Sequence, residues 1–285
     1  MAWEIRASEV RSALSRTSGF IARAGFTHSL TPARNCTFGC TYCYVPTMRL
    51  QGGLQPDDWK RWGQFTTIKT NAPQLLARQL RPDQVIYCSP LVDPYQPTEA
   101  EQPVMPRILE SLILSPPGVF VLQTRGPLVL RDLALWRELS ARTSLRVSFS
   151  VTTNRDEIRR IYEPRCAPFA ERLAVIRTLN RAGIACYATL APLLPCDPDE
   201  LVDRVCEASP YPLIADPLHI RAVKPRGATT RESAILASNH LGHSQWLEAE
   251  FQRDLIARLR QAASRHHRKV GAGEEGFSWL TKPNS

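Results

Sequence analysis

The sequence predicts an α/β protein with six βα units arranged around a parallel sheet. Three observations predict this class. Short β-rich runs alternate with helical patterns from residue 26 to about residue 220. Two of the helical patterns carry helix-end signals, a stop at Gly183 and a start at Asp197-Pro198. Hydrophobic residues make up 43% of the 285-residue chain and charged residues 22%, which suits a buried core and excludes a disordered or fibrous chain.

The expected strands are 26–30, 85–88, 119–123, 145–152, 184–190 and 213–220. Helical patterns lie between them. Leu75, Leu76 and Leu80 mark a helix over 72–80, and Ile108, Leu109, Leu112 and Ile113 mark one over 104–114. Leu133, Trp136 and Leu139 mark a helix over 130–139. Phe169, Leu173, Ile176 and Leu179 fall at i, i+4, i+7 and i+10, giving a helix over 168–182 that stops at Gly183. Asp197 and Pro198 open a helix over 197–208. Six units are too few to close an eight-stranded barrel. They fit a partial barrel or an open doubly wound sheet, and in both, ligands sit at the C-terminal ends of the strands. Beyond residue 226 comes a polar stretch and then a long helix over 244–264, with Leu247, Phe251, Leu255 and Leu259 every fourth residue. The tail from Gly271 is expected to be loosely ordered. The chain thus divides into an N-terminal segment (1–25), a βα region (26–225) and a C-terminal helical extension with its tail (226–285).

No apolar run approaches the roughly 20 residues that cross a bilayer, and the N-terminus lacks a signal-peptide pattern. A cytoplasmic protein with no membrane partner is expected. The net charge is +9, from 31 Arg and 5 Lys against 27 acidic residues. That excess admits a nucleic-acid partner. The arginines are scattered, however, and the one tight run is Arg265-His266-His267-Arg268-Lys269. Arg226, Arg231 and this run read most simply as a solvated basic face.

Eight cysteines are many for a reducing compartment, where metal binding or catalysis is the usual use of a cluster of thiols. Cys166, Cys186, Cys196 and Cys206 are isolated and read as small buried hydrophobes. Cys36, Cys40 and Cys43 stand in a C-x3-C-x2-C spacing just after the first expected strand. A structural zinc site or a ferredoxin site takes four protein ligands. Three thiolates therefore suggest a [4Fe–4S] cluster with one iron left open. The alternative is a non-catalytic iron–sulfur or zinc module that binds nucleic acid.

The segment Cys36–Tyr44, CTFGCTYCY, resembles the signature of the radical S-adenosylmethionine (radical SAM) family, in particular its spore photoproduct lyase-like branch. Three further stretches are similar to that branch: VDPYQPTE at 92–99, TRG…RDL from Thr124 to Leu133, and EPR…RL from Glu163 to Leu173. The resemblance covers about residues 26–225. It implies a partial (β/α)6 TIM-type barrel, a [4Fe–4S] cluster on Cys36, Cys40 and Cys43, and SAM on the open iron. It also implies reductive SAM cleavage to start radical chemistry on an unidentified substrate, with DNA or another nucleic acid as a candidate. An electron donor such as flavodoxin or ferredoxin would be a partner. Carried over residue by residue, Tyr42, Asp93, Glu99, Thr124, Arg125 and Ser150 become candidate SAM contacts. Cys88, placed on the site side of the second strand, becomes a candidate hydrogen-atom donor, and Tyr44 a candidate radical relay.

Overall fold

Strands buried on both faces read as near-continuous apolar runs, as in VFVLQT at 119–124 of the main sheet. The computed structural model describes residues 3–47, 58, 60–224 and 229–282. Its strands are β1 (Glu4–Ser8), β2 (Leu14–Arg16), β3 (His28–Leu30), β4 (Ala33–Arg34), β5 (Phe65–Lys69), β6 (Val85–Cys88), β7 (Val119–Thr124), β8 (Ser144–Ser150), β9 (Ala185–Leu193), β10 (Leu213–Pro217) and β11 (Val270–Ala272). The main sheet has the order β11-β10-β9-β8-β7-β6-β3-β2. Every neighbouring pair in it is parallel except β2 with β3. Strands β3 and β6 to β10 are the six expected ones, joined by helices in the partial (β/α)6 manner.

The two faces of this sheet differ in chemistry. Cys88, Phe120, Leu122, Val147, Phe149, Cys186 and Ala188 belong to the main apolar core, with Leu109, Trp136, Leu173 and Leu179 from the covering helices. The alternate residues are polar towards the C-terminal ends of the strands. Tyr87 Oη donates to Gln123 Oε1 at 3.0 Å, and Gln123 Nε2 donates to Ser150 Oγ at 2.8 Å. Towards the N-terminal ends the same face turns apolar, with Phe26, Val119, Val121 and Ile214.

Helix ends follow the local chemistry. Asp197 Oδ1 accepts from Asp199 N at 3.1 Å and Glu200 N at 3.2 Å, capping the helix Pro198–Ala208. The pattern expected over 130–139 is instead a 3-10 turn, Pro127–Asp132, feeding the helix Leu133–Ser140. The long helix expected from 244 is broken: a 3-10 turn, Ser244–Leu247, precedes the helix Ala249–Ser264.

Other expectations are corrected. The tail is not loose. Strand β11 pairs in parallel with β10, and Phe277 and Leu280 then pack with Phe26, Tyr87 and Ile214 beneath the sheet. The polar stretch after the βα region contains a helix, Glu232–His240. A second sheet, β1-β5-β4, lies beside the first and links the N-terminal segment to the cysteine loop. The basic run at 265–269 is tied down in part. Arg265 pairs with Asp199 at 3.1 Å and Asp203 at 3.2 Å, and His266 Nε2 lies 2.7 Å from Asp203. Arg226 and the boundary drawn at 225/226 lie outside the described residues.

Candidate functional site

The cysteine loop begins where β4 pairs with β5 and turns the chain. Asn35 follows at φ 61°, a left-handed conformation that Asn tolerates. Its Oδ1 accepts from Cys36 N at 2.8 Å and Gly63 N at 3.3 Å. Two tight turns follow, with Gly39 N donating to Cys36 O and Cys43 N donating to Cys40 O, each at 3.2 Å. Cys36 and Cys40 are buried and Cys43 is half-buried. Gly39 sits at φ +62°, and a Cβ on it would lie 3.2 Å from Gly63 Cα. A Cβ on Gly63, at φ +87°, would lie 2.7 Å from Gly39 Cα. The two glycines thus let two backbone segments touch. Gln96 pins the loop from another side: its Oε1 accepts from Thr37 N at 2.7 Å, while its Nε2 donates to Thr66 Oγ1 at 3.1 Å.

The turn after the helix Asp156–Tyr162 grips the same loop. Tyr162 O accepts from Thr41 N at 2.9 Å. Arg165 Nη1 donates to Thr37 O at 2.9 Å and also to Gly63 O. Glu163, fully buried, accepts from the Tyr42 hydroxyl, Arg125 Nη1 and Arg172 Nη2. Burial pushes the Glu163 carboxyl up, but Arg172 and Arg125 outweigh it and hold the group at about 2. Arg125 Nη1 also lies 3.7 Å from Cys40 Sγ. Cys166 Sγ is 4.0 Å from Cys40 Sγ.

This environment separates the three thiols. Burial raises Cys36 well above the ordinary thiol range and Cys43 to about 12. Cys40 is shifted down, by its hydrogen bond with Cys166 and by Arg125, against its burial. Among the described residues, Cys40, Glu163 and Cys166 form one compact group of potential metal ligands. Glu163 is already matched by two guanidinium groups, so this trio is a poor cation cage on its own.

The other expected residues fall into two sets. Asp93, Thr124 and Arg125 come together with Tyr42 near Cys40. Asp93 accepts from Thr124 Oγ1 at 2.6 Å, Arg125 N at 2.8 Å and Tyr95 N at 2.9 Å. Its carboxyl is nevertheless shifted up, because burial outweighs these donors. Glu99 has different partners. Its carboxylate accepts from Val104 N, Met105 N and Arg131 Nη2, so it caps the helix Met105–Leu114. Ser150 accepts from Gln123, and the Tyr44 hydroxyl donates to Pro90 O.

Cys88 departs from the sequence expectation. Tyr87, not Cys88, points to the polar face. Cys88 pairs in register with Leu30 and Leu122 and is wholly buried in the core between sheet and helices. Burial, then Asp93, raises its thiol. Cys88 is therefore expected to resist alkylation in the native protein and to react in denaturant, read by mass spectrometry. Rapid labelling of the native protein would return it to the site.

Sequence reasoning gave no role to Asn35, Gln96, Glu163, Arg165 or Arg172, although all but Asn35 stood in segments already noted. It placed Cys166 among inert core thiols. Cys166 is buried, but against Cys40.

The residues present fit an iron–sulfur cluster. Three thiols share a tightly turned and largely buried loop, and beside Cys36 the buried Nδ2 of Asn35 has no partner. The radical SAM superfamily pattern matches residues 30–207. This chain belongs to the radical SAM superfamily. Radical SAM proteins use an iron–sulfur cluster and SAM. An uncharacterized protein of Mycobacterium tuberculosis is 28% identical over 225 residues, covering 74% of this chain and 64% of its own length. An uncharacterized protein of Acidianus two-tailed virus is 30% identical over 174 residues, 59% of this chain and 56% of its own. This radical SAM chain thus matches under two thirds of the length of those relatives. Among solved structures, spore photoproduct lyase shares the fold, with a TM-score of 0.65 at 14% identity over 94% of this chain and 81% of that one. Spore photoproduct lyase complexed with dinucleoside spore photoproduct gives a TM-score of 0.63 over the same shares of the two chains.

Proposed function

We propose that this chain is a radical SAM enzyme whose Cys36, Cys40 and Cys43 hold a [4Fe–4S] cluster with one iron open to SAM. The observation that carries the reading is the buried C-x3-C-x2-C loop at the C-terminal mouth of the partial barrel. When bound, the cluster supplies an electron that cleaves the sulfonium of SAM and starts radical chemistry.

The chain's own residues do the positioning. Asn35, Gln96 and Arg165 fix the loop's backbone, so the three thiols are presented together. Arg125 is the candidate partner of the SAM carboxylate. Among the described residues all of its side-chain hydrogen bonds run through Nη1, and Nε and Nη2 remain for a bidentate carboxylate. Asp93 holds the Arg125 backbone, and Thr124 holds Asp93. Ser150 and Gln123 line the polar face beneath. Glu99 serves the fold rather than the cofactor.

Of the alternative, a non-catalytic iron–sulfur or zinc module, the zinc form is disfavoured by the donor set. Among the described residues, Cys36 and Cys43 do not join the compact group around Cys40, whereas a zinc tetrahedron needs four converging ligand atoms. The finer reading, a nucleic-acid substrate, is supported by the net charge of +9. DNA affinity should then fall steeply with salt, and affinity flat in salt would remove that part. For the cofactor, the anaerobically reconstituted and dithionite-reduced protein should show an iron–sulfur EPR signal that changes on adding SAM. A zinc-loaded protein, or a signal indifferent to saturating SAM, would overturn the reading.

A further inference from the structure

We infer that Cys166 is a positioning residue for the cluster, its thiol donating to Cys40 Sγ and raising the cluster's reduction potential. The inference rests on the cluster reading above and adds a residue to it.

Four observations carry it. The two sulfurs are 4.0 Å apart, within reach of an S–H···S hydrogen bond, and both residues are buried. Cys166 is held at both ends of its own backbone: its N–H donates to Glu163 O at 3.0 Å, and its C=O accepts from Arg159 Nη1 at 2.9 Å. The turn that carries it is fastened on either side of Cys40, through Arg165 to Thr37 O and through Tyr162 O to Thr41 N. Finally, the contact is selective. Cys40 Sγ has side-chain partners in Cys166, Arg125 and Tyr42, while among the described residues neither Cys36 Sγ nor Cys43 Sγ has one.

The physical consequence has a definite sign. Hydrogen bonds to ligating sulfurs tune the potential of an iron–sulfur centre. A donor stabilises negative charge on the sulfur, and reduction adds negative charge. Removing the donor therefore makes reduction harder.

The test compares Cys166→Ala and Cys166→Ser with the parent chain, each reconstituted anaerobically. Iron and sulfide per chain are measured first, then the midpoint potential by dithionite titration followed by EPR. Both variants should hold the parent's iron. The alanine variant should titrate at a more negative potential, and the serine variant, which keeps an O–H donor, should lie above the alanine one. An unchanged potential in Cys166→Ala would overturn the donor role, as would iron lost from both variants, which would make Cys166 a ligand. A parent chain that assembles no cluster would instead sink the cluster reading itself.

Discussion

Replacing Glu163 with alanine should destabilise the protein by about 3–5 kcal/mol, the usual cost of breaking a buried ion pair from one side. Glu163 is wholly buried and accepts from Arg172, Arg125 and Tyr42. Without it, two guanidinium groups lose their counter-charge, and Arg172 is itself only 2% exposed. The isosteric Glu163→Gln keeps an acceptor but not the charge, and should fall between the parent and the alanine variant. Denaturant unfolding of the three proteins measures the order. The pH dependence follows from the same geometry. The folded carboxyl sits at about 2 against an ordinary 4.5. Its stabilisation is present above the ordinary value and is lost as the pH falls from about 4.5 towards 2. A stability profile over that window that is the same in Glu163→Gln as in the parent would contradict this assignment.

Gly63→Ala should disturb the cluster loop from outside the cysteine motif. The added methyl would lie 2.7 Å from Gly39 Cα, which is backbone and has no rotamer to give. The left-handed φ of Gly63 adds strain of about 1–3 kcal/mol for a residue with a Cβ. Relief requires moving Gly39, which lies between two of the motif cysteines. The expected result is a less stable protein that holds less iron per chain after reconstitution. Full iron content in a variant with unchanged stability would show that the two loops do not touch as described.

Much of this architecture was legible in the sequence, for identifiable reasons. Strands such as Val119–Thr124 are buried on both faces and show as apolar runs, so the six-unit core could be counted. The cysteine loop was legible because its three cysteines are close in sequence and their spacing is narrow. The small sheet was not, because Glu4–Ser8 carries Glu4 and Arg6 and pairs with Phe65–Lys69 far along the chain. The tail from Gly271 carries no strong periodic pattern of its own, yet Val270–Ala272 finds a strand partner in Leu213–Pro217. The surroundings of Cys40 were hidden for the same reason. Cys166 lies 126 residues from it in sequence, and nothing local distinguishes Cys166 from Cys186 or Cys196. Strand parity decided Cys88: a shift of one residue separates the polar face, marked by Tyr87, from the core.

Product analysis of the reduced protein with SAM tests the cluster and its cofactor together. The anaerobically reconstituted chain, given dithionite and SAM, should release 5′-deoxyadenosine and methionine, and single alanine replacements of Cys36, Cys40 or Cys43 should abolish both products and the bound iron. A fully iron-loaded parent chain that forms neither product would rule out radical SAM chemistry, and three variants that keep full iron would place the ligands elsewhere.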